Sequence, residues 1–182
     1  MQNIWIVKPG EFTNRGRGIT VCSILDDIKV RLRSKEKSLA NQQHTYIVQK
    51  YIERPLLYCK RKFDIRHYMM MTCIKGKFKG YWYSEGYLRT TSSEYNIRNC
   101  KDLYTHLTND AIQKYSSDYG KYEKGNKVSY SDFQKYLNST YKSRTSKYDF
   151  MGSVMPRMKQ IAADSMKATY MLLSPNRREH NF

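Results

Sequence analysis

The residues able to do chemistry fall into three groups along the 182-residue chain. The first is Lys8, near the end of the β-branched and aromatic run Asn3 to Pro9, with the loop Gly10-Glu11-Phe12-Thr13-Asn14-Arg15-Gly16-Arg17-Gly18 behind it. Glycines let backbone amides come close to a phosphate, and Lys8, Arg15 and Arg17 supply charge. This is not a Walker A loop, because no Gly-Lys-Ser/Thr follows the glycines. Val21 stands where a dinucleotide fingerprint would have its third glycine. The pattern alone leaves a phosphate site and an ordinary basic loop both open.

The second group is Lys62, Asp64 and Arg66 on one strand-like run, with Arg89 at the end of the next. A Lys and two Arg on neighbouring strands can clamp a phosphate or carboxylate, and Arg is suited to bidentate contact. The plain alternative is a weak surface ion pair between Asp64 and Arg66. The third group is His106-Leu107-Thr108-Asn109 at the start of a helical stretch, which reads either as an anion site or as a helix cap. The four His (His44, His67, His106, His180) show no zinc spacing, and no GxSxG elbow marks a serine hydrolase. The four Cys (Cys22, Cys59, Cys73, Cys100) are scattered, which signals neither a disulfide framework nor a metal site. Asn138-Ser139-Thr140 has the letters of a glycosylation acceptor, without a secretory context.

Charge bears on partners. Lys and Arg number 33 against 16 Asp and Glu, a formal net charge of +17. Such a field concentrates polyanions of any kind, although each basic cluster taken singly also reads as a solvated face. No RRM, KH or zinc-finger pattern points to a specific nucleic acid. No apolar run approaches the ~20 residues of a membrane span, and the opening residues lack the pattern of a signal peptide, so neither membrane nor secretion is expected.

These groups need elements to position them. Alternation and turn residues predict strands over Asn3 to Pro9, Thr45 to Ile52, Phe63 to Ile74 and Phe78 to Leu88, the last two joined by a hairpin at Lys75-Gly76-Lys77. Helical spacing predicts helices from Ile24 toward Leu32, over Leu103 to Tyr115, from Ser131 with Gln134 as a capping box, and over Val154 to Leu173. The last is expected to turn Met158, Ile161, Ala162, Met166 and Leu173 to one face. Antiparallel strands first and helices later give an α+β class.

Taken in order, the segments IWIVKP, RGRGI, YIVQKYIERPLL, KFDIRHY, GYLRTTS and HLTNDAIQKYS resemble the tubulin–tyrosine ligase-like family of the ATP-grasp superfamily, from about Asn3 to Phe182. The resemblance implies one partial ATP-grasp-like domain over 1–182, strand-rich over about 3–95 and helical over about 100–175. It implies an ATP-dependent ligase that adds an amino acid, glutamate or glycine before tyrosine, to tubulin through an acyl phosphate. ATP and Mg2+ are the implied cofactors. The implied partners are tubulin or microtubules, through their acidic tails, and a free amino acid; the implied places are cytoplasm, cytoskeleton and cilium.

Residue by residue, the resemblance places Lys8 and Lys62 on the ATP phosphates. The loop from Thr13 to Ile19 lies over them, with Arg17 and Gly18 nearest. Gln49, Lys50, Tyr51 and Ile52 form the adenine edge, and Asp64, Thr108 and Asn109 complete the nucleotide site. Arg66 and Arg89 would hold the acceptor or amino-acid carboxylate. The family's magnesium ligands, an Asp and a Glu-x-Asn pair, are expected beyond Phe182. Glu94-Tyr95-Asn96 has the same letters but lies in the loop after Arg89. A fragment incomplete at both ends, inactive by itself, is therefore expected. The competing expectation is an inactive microtubule- or polyanion-binding module.

Overall fold

The computed structural model describes residues 3–10, 14–33, 45–141, 149–173 and 180–181. The chain folds as two compact units, one of Met1–Asp64 with Arg89–Lys127, the other of Ile65–Leu88 with Val128–Phe182. Antiparallel strands dominate the first half and helices the second, the α+β arrangement expected from the sequence.

In the first unit β1 (Trp5–Pro9) lies between β2 (Thr20–Cys22) and β3 (Tyr46–Lys50), antiparallel to both. Side chains alternate across a strand, so β1 serves two layers. Val7 and Trp5 pack with Cys22 and with Ile28 of α1 (Leu25–Arg33). Ile4 and Ile6 face the other way, against Val21, Tyr51, Tyr95 and Ile97. Lys8 shares that second face. α1 carries Asp26 and Asp27 in its first turn and Arg31 and Arg33 in its last, complementing the helix dipole. The expected stripe is only partly used: Ile28 is buried, whereas Ile24 and Leu25 are exposed.

Strands β4 (Phe63–Ile74) and β5 (Lys77–Thr90) form the expected hairpin. Lys75 and Gly76 both have positive φ, 49° and 71°, as a two-residue type I′ turn requires. The sheet runs β6 (Lys127–Ser129), β5, β4, β7 (His180–Asn181).

Two helical expectations are corrected. Leu103 to Tyr115 is not one helix but two short ones, α2 (Leu103–His106) and α3 (Asp110–Gln113), parted by extended backbone at Leu107 and Asn109. Side chains take up the carbonyls freed at the break: the Gln113 amide donates to Tyr104 O (3.3 Å) and Leu107 O (2.5 Å), and Lys62 Nζ donates to His106 O (2.9 Å). The cap of α4 (Tyr130–Thr140) is Ser129, two residues earlier than expected, its Oγ accepting from the Asp132 amide at 3.1 Å. Starting there lets Tyr130 be buried, and Gln134 accepts from Phe150 N instead of closing a capping box. In α5 (Met155–Leu173) the packed residues are Met155, Met158, Ala162, Ala163 and Met166, while Ile161 of the expected stripe stays 66% exposed.

One buried ion pair ties the far end of β5 into the first unit. Arg61, 2% exposed, is bonded through both terminal nitrogens to the Glu123 carboxylate and donates to Thr91 O at 3.2 Å. Asn126 adds Nδ2 bonds to Thr90 O and Ser92 Oγ. Removing one partner of such a pair strands a charge, a loss on the order of 3–5 kcal/mol. Glu123→Ala is therefore expected to lower unfolding stability by about that amount, read as an earlier denaturant midpoint. Lys121→Ala, which breaks a surface pair with Asp118 and an exposed contact with the Tyr122 ring, is expected to leave the midpoint nearly in place.

Candidate functional site

All the sequence-predicted residues that the structure brings together belong to the first unit. In the loop after β1, Gly16 and Gly18 have φ of 79° and 73°, which side-chain-bearing residues rarely adopt. Space adds a second demand at Gly16, where a Cβ would stand 2.6 Å from Asn109 Nδ2. The loop is thus held closely against the Asn109 side chain. Arg31 of α1 donates to Gly18 O at 3.4 Å. Arg17 and Gly18 line a cavity of about 640 Å3 with Lys101, Tyr104 and Lys114. Thr13 lies outside the described residues.

Register sorts the β3 residues. Gln49 stands opposite Ile6 and so shares the Lys8 face; its Oε1 accepts from Lys8 Nζ at 2.7 Å. Lys50 stands opposite Trp5 on the other face. Its ammonium lies 5.5 Å from the Trp5 ring and donates to Glu53 and Ile4 O. Lys50 therefore has its side chain committed away from Lys8, and any part it plays on this face falls to its backbone. Tyr51 is buried, and Ile52 is 69% exposed.

Lys62, half-buried just before β4, is tied to Tyr51 and α2. Its ammonium donates to Tyr51 Oη at 3.0 Å and to the carbonyl of His106 at 2.9 Å. It also lies 4.6 Å from the Tyr51 ring. Burial pushes its pKa down to about 8, the Asp64 charge opposing the fall and the Lys8 charge adding to it. A half-buried cation within the field of a second one is a site where an anion would relieve both charges.

Asp64 and Arg89 form a side-on ion pair. Arg89 Nε donates to Oδ1 at 3.0 Å and Nη2 bonds Oδ2. The pairing weighed from sequence, Asp64 with Arg66, is replaced: Arg66 belongs to the second unit and its guanidinium lies 5.2 Å from the Tyr68 ring. Arg89 and Asn109 line a second cavity, of about 420 Å3, with Arg15, Asp110, Lys114 and Tyr119. Asn109 occupies the N-cap position of α3 without using its side chain as a cap, and Thr108 is half-buried in the break before it.

Among the described residues no three His, Cys, Asp or Glu side chains gather as a metal site. Both Asp64 oxygens are held by Arg89, and Glu94 pairs with Lys60 at 3.7 Å. This donor set does not fit magnesium, and no step is assigned to it here.

Sequence reading missed the residues that hold Lys62. His106 was noticed for its motif, but its carbonyl and ring roles depend on the helix break. Tyr51 is expected at the adenine edge, and its hydroxyl in addition reaches across to His106 of α2. No local spacing encodes contacts 44 and 55 residues apart.

The tubulin-tyrosine ligase family model matches residues 1–182. Over 113 residues, 62% of this chain and 14% of the relative, the sequence is 44% identical to tubulin glycylase 3B of Drosophila melanogaster. Over 167 residues, 92% of this chain and 13% of the relative, it is 35% identical to tubulin glycylase 3B of Tetrahymena thermophila. It is also 37% identical over 139 residues to the probable tubulin polyglutamylase TTLL2 of Mus musculus, 74% of this chain and 23% of the relative. The chain thus spans less than a quarter of the length of these relatives.

The depressed Lys62 pKa has a consequence for stability. Between about pH 8 and the ordinary lysine value the unfolded chain holds a proton that the folded chain has released, so stability from this group rises with pH across that window. Unfolding free energies measured by denaturant across the window are expected to show this rise in the native chain and to lose it in Lys62→Met.

Proposed function

The chain belongs to the tubulin-tyrosine ligase family, and from that premise we propose that it forms the nucleotide-binding part of an ATP-dependent ligase joining an amino acid to tubulin. The family's fold is ATP-grasp-like, and the α+β units described above are part of it. The observation that carries the proposal is the half-buried Lys62 ammonium, held by Tyr51 and the His106 carbonyl within the field of Lys8. ATP is a substrate here, and its phosphates supply the anion for these two charges.

In the proposed reaction a tubulin carboxylate oxygen attacks the γ-phosphorus. The bond from phosphorus to the β–γ bridging oxygen breaks, and ADP leaves with that electron pair. The resulting acyl phosphate is attacked at carbon by the amine of the incoming amino acid. Phosphate leaves, the amine gives up a proton, and an amide forms. Lys8 and Lys62 stabilise the charge on the phosphoryl oxygens, and the 14–18 loop, with Arg17 and Gly18, lies alongside. Gln49, Tyr51 and the backbone of Lys50 and Ile52 bound the adenine end. Thr108 and Asn109 lie toward the phosphates, while Arg89 orients a carboxylate.

Asp64 fixes the plane of the Arg89 guanidinium. The glycylase names of relatives favour glycine as the donor amino acid, with glutamate second. The charge of +17 favours acidic tubulin tails and hence a place on the cytoskeleton, cilia included. Among the described residues no helix is long and apolar enough to cross a membrane.

Calorimetric titration with ATP tests the assignment. Lys8→Ala and Lys62→Ala are each expected to weaken binding about tenfold or more, the worth of a charge-assisted hydrogen bond. Lys135→Ala, a surface lysine of α4, is expected to bind as the native chain does. Equal affinity across the three variants contradicts the assignment.

A further inference from the structure

The groups around Lys62 form a hydrogen-bond chain whose direction is fixed by its far end. His106 is 1% exposed, and its Nε2 lies 2.9 Å from the carbonyl of Asn99. A carbonyl only accepts, so Nε2 carries the proton. In the neutral ring Nδ1 is then an acceptor, and its partner at 2.8 Å is the Tyr51 hydroxyl, which must donate. Tyr95, whose own proton goes to Glu53 O, can toward Tyr51 only accept as well, so the Tyr51 proton is directed away from Lys62. Tyr51 Oη offers Lys62 only lone pairs, and the ammonium donates to it at 3.0 Å. The same residue, His106, supplies the second acceptor for Lys62 through its own carbonyl, at the C-terminal end of α2.

The surroundings keep this order in place. Burial lowers the His106 pKa, and the Lys62 charge lowers it further, against the Asn99 carbonyl and Asp102, so the ring stays neutral. The Tyr51 hydroxyl is pushed far up by burial and stays protonated. Tyr95 packs edge-on against the His106 ring at 5.9 Å and donates its own hydroxyl to Glu53 O. The charged groups that act on Lys62 from neighbouring elements are Lys8 of β1 and Asp64 of β4.

We propose that Tyr51 and His106 are positioning residues for Lys62: a one-way chain from Lys62 through Tyr51 and His106 to Asn99 takes two of the three ammonium hydrogens and leaves the third for an anionic ligand. A hydroxyl that could turn would compete as a donor for that ligand; a locked one serves only as an acceptor. The assignment concerns the Tyr51 side chain, apart from any backbone part at the adenine edge, and rests on the nucleotide reading only for the identity of the ligand.

The test is made on the full 182-residue chain without nucleotide, by following the Lys62 Cε carbon in lysine-labelled protein through an alkaline titration. The signal is assigned by its loss in Lys62→Arg. The native midpoint is expected near 8. Tyr51→Phe, which removes an acceptor from the charged form, is expected to lower it by about one unit. His106→Leu is expected to do the same. His106→Asn, which keeps an acceptor near the Nδ1 position, is expected to return the midpoint toward the native value. A purely structural role for these side chains would not produce that order.

Unchanged midpoints in Tyr51→Phe and His106→Leu overturn the proposal. So does a histidine 15N spectrum of the unmodified chain that places the His106 proton on Nδ1, a measurement that needs no variant to fold. Failure of the nucleotide reading shows separately, as ATP affinity indifferent to Lys62→Met while the Lys62 titration still responds to Tyr51→Phe.

Discussion

The first unit holds a half-buried ammonium, that of Lys62, between two fixed acceptors. A partly desolvated cation needs acceptors fixed around it, and Lys62 has two: the Tyr51 hydroxyl and the last carbonyl of α2. Both requirements reach into the fold. The carbonyl is available because α2 stops at His106, and α2 stops there because Gln113 takes up the neighbouring carbonyls of Tyr104 and Leu107. Tyr51 is available because β3 ends at Lys50 and the chain continues under Ile4, whose carbonyl accepts the Tyr51 amide at 3.0 Å. The charge of Lys8, which stands with Gln49 on the face of β1 away from α1, acts on this cation.

Local patterns recorded the strands well. Alternation and β-branched content marked β1, β3, β4 and β5, and Lys75-Gly76 marked the hairpin because a turn with two positive φ values leaves few choices of residue. The stretch 103–115 misled, since its spacing of Leu103, Leu107 and Ala111 is helical while the break is imposed from outside, by Gln113 and Lys62. The same limit applies at Ser129 and Ser131: two serines compete for the cap of α4, and burial of Tyr130 decides between them. For Ile161 the spacing was right for a helix and silent about which side of α5 would be packed.

The site shows a similar division. Residue type drew attention to Lys8, Lys62, Asp64, Arg66 and Arg89 but left an ordinary basic loop and a surface ion pair open beside a binding site, and only the family resemblance gave them roles. Pairing was not legible. Asp64 bonds Arg89, 25 residues away, in place of Arg66 two positions on. Nor could spacing show that Lys50 belongs to the opposite face from Gln49 in any functional sense; only the register against Trp5 and Ile6 reveals it. The buried pair of Arg61 and Glu123, which secures the β5 end next to Arg89, left no trace in local pattern, its partners being 62 residues apart.

The central claim is that the Lys62 ammonium is the phosphate-facing group of a nucleotide site, and its chemistry offers a direct probe. A lysine with a pKa near 8 is partly neutral at mild pH and reacts with acylating reagents when no anion covers it. The measurement is the rate of acylation at Lys62, followed by peptide mass spectrometry with and without ATP, with surface Lys135 as internal reference. The account predicts that ATP slows Lys62 modification several-fold and leaves Lys135 unchanged. Equal rates at Lys62 with and without ATP would contradict it.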